Sequence, residues 1–394
     1  MEAGLPPETV HLQGDDPVLE AIRNFIGREV APHVESLEAT GDYPDHLVGQ
    51  LRDLGLFGLA IPERFGGLGL DIGTIARIME ILAGGWASLA TYVNSHATVS
   101  YLLTKYGTPA QQDHYLPRMA TGDIRGALTL TEAGAGSDLQ AIQTTARPQG
   151  DGFRLSGSKI FVTNGRRAGV LLALARTDPA ATKPSRGMSL MLVDKARAGV
   201  EVGGDFSKMA HGLVDTCEIH YADVDLPAES LLGGEPGRGL SWLLDGLELG
   251  RIMIAASAVG LGEAALAAAT RYSLERCSFG KPIAEHQAVQ LELATMATKI
   301  EAARQLTYEA ARRKESDGRA DMISGMAKLF ASETALEVAT GALRIHGGYG
   351  YIRGYAVERF FREAPLYIVG EGTNEIQKLV IARRLLEAAR EGAA

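Results

Sequence analysis

A single carboxylate, Glu371, sits between Gly370 and Gly372 in the stretch "IVGEGTNEIQK", residues 368–378. Apolar residues precede it; hydroxyl and amide residues follow. Flanking glycines leave backbone N–H groups open to a ligand lying close. A carboxylate placed there can act as a general base once water is excluded, because desolvation raises its affinity for a proton. The same residue can also be an acid near a helix start that complements the helix dipole. The local residues allow both readings.

Four other clusters carry possible chemistry. "LTLTEAGAGSD", residues 128–138, is a loop of small residues flanked by hydroxyls. Its N–H groups could wrap a flat polar ring or a phosphate, or it could be an ordinary glycine-rich turn. In "KIFVTNG", residues 159–165, Phe161 and Thr163 lie two apart, on one side of a strand. Alone, that pair reads equally as a core Phe beside a surface Thr. Arg276 opens "RCSFGKPIAEHQ" and could hold a phosphate, or simply be solvated. The glycines of "RIHGGYGY", residues 344–351, suit a helix C-cap or the receipt of a pyrophosphate. No G-x-G-x-x-G follows a strand into a helix, and no Walker loop, H-E-x-x-H or G-x-S-x-G is present. A nicotinamide Rossmann unit, metal chemistry and a serine nucleophile are therefore not indicated.

The elements that must position these clusters fall into three regions. Up to about residue 124 the periodicity is helical. Asp16-Pro17 reads as a cap followed by proline at the first helical position, with Val18, Ile22, Phe25, Ile26 and Val30 behind it and Pro32 as a stop. Leu47, Leu51 and Leu54, then Ile72, Ile75, Ile78, Met79 and Leu82, form further stripes. Residues 125–233 read as short strands with no intervening helices, which predicts an antiparallel sheet or small barrel. There "FRLSGSKIFVTNGRRAGVLLALAR" reads strand, strand, turn, strand, with Asn164-Gly165 as the tight turn. Residues 234–394 read as a bundle of long helices. Before these elements, "MEAGLPPETVHLQGDD" reads as a short acidic arm rather than a signal peptide.

The 394-residue chain has a net charge of −9 and no long run of one sign, which argues against nucleic acid as a partner. No run of about 18 uncharged apolar residues exists, so no membrane span is expected. Cys217 and Cys277 lack metal-type spacing and read as reduced thiols of a cytoplasmic protein.

Taken together, the clusters resemble the acyl-CoA dehydrogenase family of FAD flavoproteins, and the resemblance runs from about Asp16 to near the end. "TEAGAGSD" resembles T-E-P-x-A-G-S-D, with Ala133 where proline is usual. "GSKIFVTNG" resembles G-x-K-x-(W/F)-I-T-N-(G/A), and "RCSFGKPIAEHQ" resembles R-x-(T/S)-F-G-K-x-(I/L)-x-x-x-Q. "RIHGGYGY" resembles Q-x-x-G-G-x-G-(Y/F), with Arg344 replacing glutamine, and "GEGTNEIQ" resembles E-G-T-x-E-I-Q.

The resemblance implies an α+β multidomain fold: an N-terminal helical domain, a central antiparallel β domain and a C-terminal four-helix-bundle-like domain. It implies that Leu128, Leu130, Thr131 and Ser137 line the flavin and the start of the acyl-CoA site. Phe161 and Thr163 would meet the isoalloxazine. Arg276, Ser278, Phe279 and Gln287 would hold the ADP half of a neighbouring subunit's FAD. Arg344, Gly347 and Gly348 would meet its pyrophosphate region, and Thr373 and Glu375 would complete the flavin site. Glu371 would be the base that removes the proton α to a thioester, its own N–H binding the thioester oxygen beside Gly372, while a hydride leaves for flavin N5. Some relatives carry the base at the position of Gly250, which has no side chain. Glu248 is then a weak second candidate, and Glu248 to Arg251 would touch the CoA arm. Electrons would pass to electron-transferring flavoprotein, in β-oxidation of fatty acids. A homo-oligomer is expected, at least a dimer and usually a dimer of dimers. Gly370 stands where some straight-chain enzymes have tyrosine, which leaves room for branched, cyclic or aromatic acyl groups. A repurposed flavin oxidase or monooxygenase, or a silent scaffold, is the alternative.

Overall fold

The computed structural model describes residues 17–391, so Asp16 and the acidic arm lie outside the described residues. Helix α1, Pro17–Phe25, buries Leu19, Ile22 and Phe25. One π-helical stretch, Ile26–Val30, carries the chain to Pro32. Helices α2, Val34–Thr40, and α3, Asp45–Asp53, follow. Helix α4, Ile72–Gly85, is capped by Asp71, whose carboxylate accepts from Thr74 N. It buries every residue of the predicted stripe. Helix α5, Ala87–Tyr106, shows no such stripe because it is buried on most of its circumference. Helix α6, Pro109–Ala120, starts at a capping box of Thr108 and Gln111.

The middle region is one twisted sheet. Its strands are β1 Gly126–Thr129, β2 Thr145–Gln149, β3 Gly152–Thr163, β4 Val170–Arg176, β5 Met188–Asp194, β6 Val200–Asp205 and β7 Thr216–Leu226. The spatial order is β1-β4-β2-β3-β7-β6, with β5 also on β4. Most pairs are antiparallel, but β4 runs parallel to β1 and meets β2 in parallel. The sheet is therefore mixed, not purely antiparallel. Hydrophobic period reports the buried face of a strand, not its direction. The expected two strands around Ser158 are one strand, β3, bent by bulges near Gly157 and between Lys159 and Val162. Asn164-Gly165 does turn the chain, with Asn164 at φ 59°. It joins no hairpin, since β3 pairs with β2 and β7 whereas β4 pairs with β1, β2 and β5.

Helix α7, Gly239–Glu275, leads into a small hairpin, β8 Cys277–Ser278 and β9 Lys281–Pro282. Then come α8 Gln287–Asp317, α9 Asp321–His346, α10 Ala356–Val369 and α11 Asn374–Glu391. Helix α7 is long and apolar enough, by length and composition, to cross a membrane, but most of that stretch is buried inside the protein. It crosses α4 so closely that a Cβ on Gly260 would lie 2.0 Å from Glu80 O. Helices from both ends of the chain share one hydrophobic core. Both cysteines are free thiols.

Candidate active site

Helix α10 ends at Val369, and Gly370 N closes it onto Leu366 O at 2.8 Å. The chain then turns left-handed twice, at Glu371 (φ 54°) and Gly372 (φ 86°), before α11 begins. A left-handed glutamate is strained, and such strain persists only where the surroundings hold it. Neither Glu371 nor Gly372 donates its backbone N–H to a carbonyl among the described residues. Glu371 is half-buried as a whole, yet its Oε2 is shut off from solvent and has no hydrogen-bond partner. That oxygen lies against α7 at Gly250, where a Cβ would be 1.7 Å away. A side chain at 250 and the observed Glu371 carboxylate exclude one another. Burial pushes the Glu371 carboxyl up to about 7, against the opposing pull of Arg251 and Lys328. The acid is thus poised near neutrality, as a general base requires.

Lys328 of α9 was not singled out by the sequence reading. It is fully buried, and its Nζ donates to Ile368 O (2.8 Å), Gly372 O (3.0 Å) and Asn374 Oδ1 (2.8 Å). Gln377 Nε2 also reaches Gly372 O at 3.0 Å. The available signal was a lysine inside the apolar run "MAKLF". Arg251 is buried beneath the site, and its Nε has no hydrogen-bond partner.

Glu248, the weak second candidate for the base, sits in an ion cluster. Its Oε2 accepts from Lys314 Nζ (2.7 Å) and Ala320 N (2.8 Å), and the residue is fully buried. Lys314 also meets Asp245 at 2.7 Å. This ion cluster ties α7 to α8. Two residues along a helix is about 200° of rotation, so Glu248 and Gly250 face nearly opposite ways.

On the sheet side, Leu128 and Leu130 are half-buried and Ser137 is exposed. Thr131 O accepts from Ile160 N at 2.9 Å, which joins this loop to β3. The fully buried Lys159 anchors the loop, donating to Leu130 O and Glu132 Oε1, both at 2.9 Å. Glu132 also accepts from Gln143 N and Thr144 N. The bulge sets Phe161 at φ 56° and turns it outward, 58% exposed, with Phe206 beside it at 4.8 Å and Thr163 half-buried nearby. The register shift between Lys159 and Val162 means that simple alternation does not govern the side-chain directions here. Thr373 Oγ1 accepts from Ile376 N, and the exposed Glu375 sits in the first turn of α11. Its carboxyl is held below the usual range by its own backbone N–H and the Thr373 hydroxyl.

A second place, a cleft of about 400 Å³, is lined by Tyr272, Arg276, Ile283, Gly347, Gly348 and Tyr349, among others. A Cβ at Gly347 or Gly348 would meet nothing within 4 Å, so this backbone faces open space. Arg276 lies 5.8 Å from the Tyr349 ring, and Ser278 Oγ meets His286 Nε2 at 3.3 Å. Phe279 projects from the hairpin, 97% exposed, and Gln287 is exposed. Arg344 does not line the cleft; it is exposed and lies 3.9 Å from Glu292. The residues fit FAD chemically. An outward aromatic with a neighbouring hydroxyl suits a flat ring system, and a guanidinium beside bare glycine backbone suits a diphosphate. None of Thr131, Phe161 or Thr163 lines the cleft of Arg276.

Comparison with known proteins covers nearly the whole chain. It matches the acyl-CoA dehydrogenase N-terminal domain over residues 15–123, the middle domain over 127–224 and the C-terminal domain over 237–386. It is 38% identical to cyclohex-1-ene-1-carbonyl-CoA dehydrogenase of Syntrophus aciditrophicus, over 94% of this chain and 89% of the relative. It is 36% identical to the caffeyl-CoA reductase-Etf complex subunit CarC of Acetobacterium woodii, over 93% and 96% of the two chains. The butyryl-CoA dehydrogenase structure from Megasphaera elsdenii superposes with a TM-score of 0.91 at 36% identity, covering 94% of this chain and 97% of that one. With the three-part fold and the FAD-compatible residues, these matches mean that the chain belongs to the acyl-CoA dehydrogenase family, FAD flavoproteins that act as oxidoreductases on CH–CH donors.

Proposed function

We propose that this chain dehydrogenates an acyl-CoA thioester to the trans-2-enoyl-CoA, with Glu371 as the base. The observation that carries this is the buried, unpartnered Glu371 Oε2 seated on Gly250. The α-proton of a thioester is weakly acidic, so its removal needs a base stronger than a solvated carboxylate and donors for the carbonyl oxygen. Burial supplies the first. The free N–H of Glu371 supplies a donor for the second. The α C–H bond breaks and its proton passes to the Glu371 carboxylate. The β C–H bond breaks as a hydride, and the carbon–carbon double bond forms. FAD, when bound, supplies the hydride acceptor at N5 and hands the electrons on. In the reverse direction, for which the caffeyl-CoA reductase relative is named, the Glu371 acid would return its proton to the α carbon.

Electron-transferring flavoprotein is the proposed electron partner, supported by the relative named as part of an Etf complex. Each flavin site would be completed by a second subunit, since the Arg276 cleft and the Phe161 surface share no residues; a dimer of dimers would supply two such pairs. The proposed substrates are branched or cyclic acyl-CoAs. Gly370 leaves space before the base, and one relative is named for a cyclic acyl-CoA. No arginine lies between Arg77 and Arg118 to meet a distal carboxylate, which argues against dicarboxylic acyl groups. The test is anaerobic mixing of the FAD-loaded enzyme and Glu371→Gln with a panel of acyl-CoAs. Bleaching of the flavin by a cyclic or branched substrate, slowed about 10²–10⁴-fold in the variant, is expected. Equal rates in both, or fast turnover with oxygen alone to give peroxide, would contradict the proposal.

A further inference from the structure

We propose that Lys328 is the positioning residue of the base: it straps the Glu371 loop to α9 and holds beside it a positive charge that is hydrogen-bonded to no carboxylate among the described residues. This rests on the reading of Glu371 as base. The geometry is specific. All three donors of the buried ammonium are used, on Ile368 O, Gly372 O and Asn374 Oδ1. These acceptors bracket Glu371 on both sides. A short link between α10 and α11 is thereby fixed to a third helix, which holds the left-handed φ that a residue with a Cβ resists. Asn374 is itself fixed, since its Nδ2 donates to Ser332 Oγ at 3.0 Å.

The charge matters as much as the strap. None of the three acceptors is a carboxylate, although buried cations are normally paired. The charged groups facing Lys328 are Glu371, Arg251 of α7, Glu375 of α11 and Glu333 on its own helix. Those facing Glu371 are Arg251 and Lys328. Glu375 and Glu333 are both exposed, so the buried counter-charge to Lys328 is the base itself. Burial lowers the Lys328 ammonium to about 8, and Glu371 opposes that fall. Together with Arg251, the lysine therefore limits how far the desolvated carboxyl rises, so that part of it stays ionised near neutral pH.

Three variants of the FAD-loaded enzyme separate the two roles. Lys328→Gln keeps hydrogen-bond donors and drops the charge, Lys328→Arg keeps the charge, and Asn374→Ala removes one strap acceptor. Anaerobic flavin reduction at saturating acyl-CoA is followed against pH, with acyl-CoA affinity measured separately. In Lys328→Gln the rising limb should move to higher pH by about one unit or more, with affinity little changed. Lys328→Arg should return the limb to its original position. Asn374→Ala should lower the plateau and leave the limb where it was. An unmoved limb and plateau in Lys328→Gln, or an equal limb shift in Lys328→Arg, would overturn the proposal. Should Lys328→Gln fail to fold, an unchanged plateau in Asn374→Ala would overturn it. The base reading fails separately, by full-rate reduction in Glu371→Gln.

Discussion

Two buried lysines hold two loops, one on the sheet side and one at the Glu371 turn, and they finish differently. Lys159 straps the loop of Leu130 and ends on a carboxylate, Glu132. Lys328 straps the loop of Glu371 and ends on an amide, Asn374. In the first, charge is cancelled locally, and Glu132 is held below the usual carboxylate range by backbone N–H groups, Thr144 and Lys159 despite its burial. In the second, charge is left over and Glu371, in place of being lowered, is raised to about 7. The same device therefore builds a static wall in one place and tunes a reactive carboxyl in the other. What decides between them is whether the carboxylate itself is hydrogen-bonded: Glu132 accepts from Lys159, Gln143 N and Thr144 N, whereas Glu371 Oε2 accepts nothing and its burial prevails over the nearby cations.

That contrast can be broken at either end. Lys159→Met would leave Glu132 as a buried charge without its cation, which typically costs about 3–5 kcal/mol. Chemical denaturation should show a loss of that order, while the pH limb of any flavin reduction stays in place; a moved limb would erase the distinction. Gly250→Ala strikes the other loop. The new Cβ collides with Glu371 Oε2, so the carboxylate must leave its seat. Flavin reduction should fall at least about 10²-fold, although Ala replaces Gly in a helix and favours it by about 1 kcal/mol. Activity lost with stability kept is the expected pattern, read by stopped flow and thermal melting.

A third prediction uses the raised carboxyl. Glu371 binds a proton more tightly folded than unfolded, so between about pH 4.5 and 7 the native state holds more protons than the unfolded one. Stability conferred by this group therefore falls as pH rises through that window. Glu371→Gln removes the dependence and should be the more stable protein at pH 8, by roughly 1–3 kcal/mol; equal stability at pH 5 and pH 8 relative to the unmodified protein would contradict it. The smallest effect is at the distant cleft. Arg276→Ala should weaken FAD retention by roughly tenfold, about 1.4 kcal/mol, without changing the melting of the FAD-free chain. Unaltered flavin content after dialysis would remove Arg276 from the site.

Much of the layout was legible because local pattern carries it. The stripe from Ile72 to Leu82 became α4, and the five short segments lie in the family's order. The straps were not legible. Lys159 reaches a partner 27 residues back, and Lys328 reaches acceptors 40 to 46 residues on. No period or spacing encodes such pairs. Parallel pairing of β1 with β4 escaped for the same reason, and α5 escaped because burial on most sides erases amphipathicity. The bonding of Glu248 was equally hidden: its partner Lys314 lies 66 residues on, although its place two residues from Gly250 already sets it on the other side of the helix from the Glu371 seat.

The central claim is that Glu371 takes the α-proton. An acyl-CoA whose β carbon is replaced by sulfur has no hydride to lose, so only the proton step remains. Incubated in D2O with the FAD-loaded enzyme, it should gain deuterium at the α carbon, read by mass spectrometry. Glu371→Gln, with equal FAD content and ligand binding, should incorporate deuterium at least about 10²-fold more slowly. Incorporation at the unmodified rate in that variant would show that another group is the base.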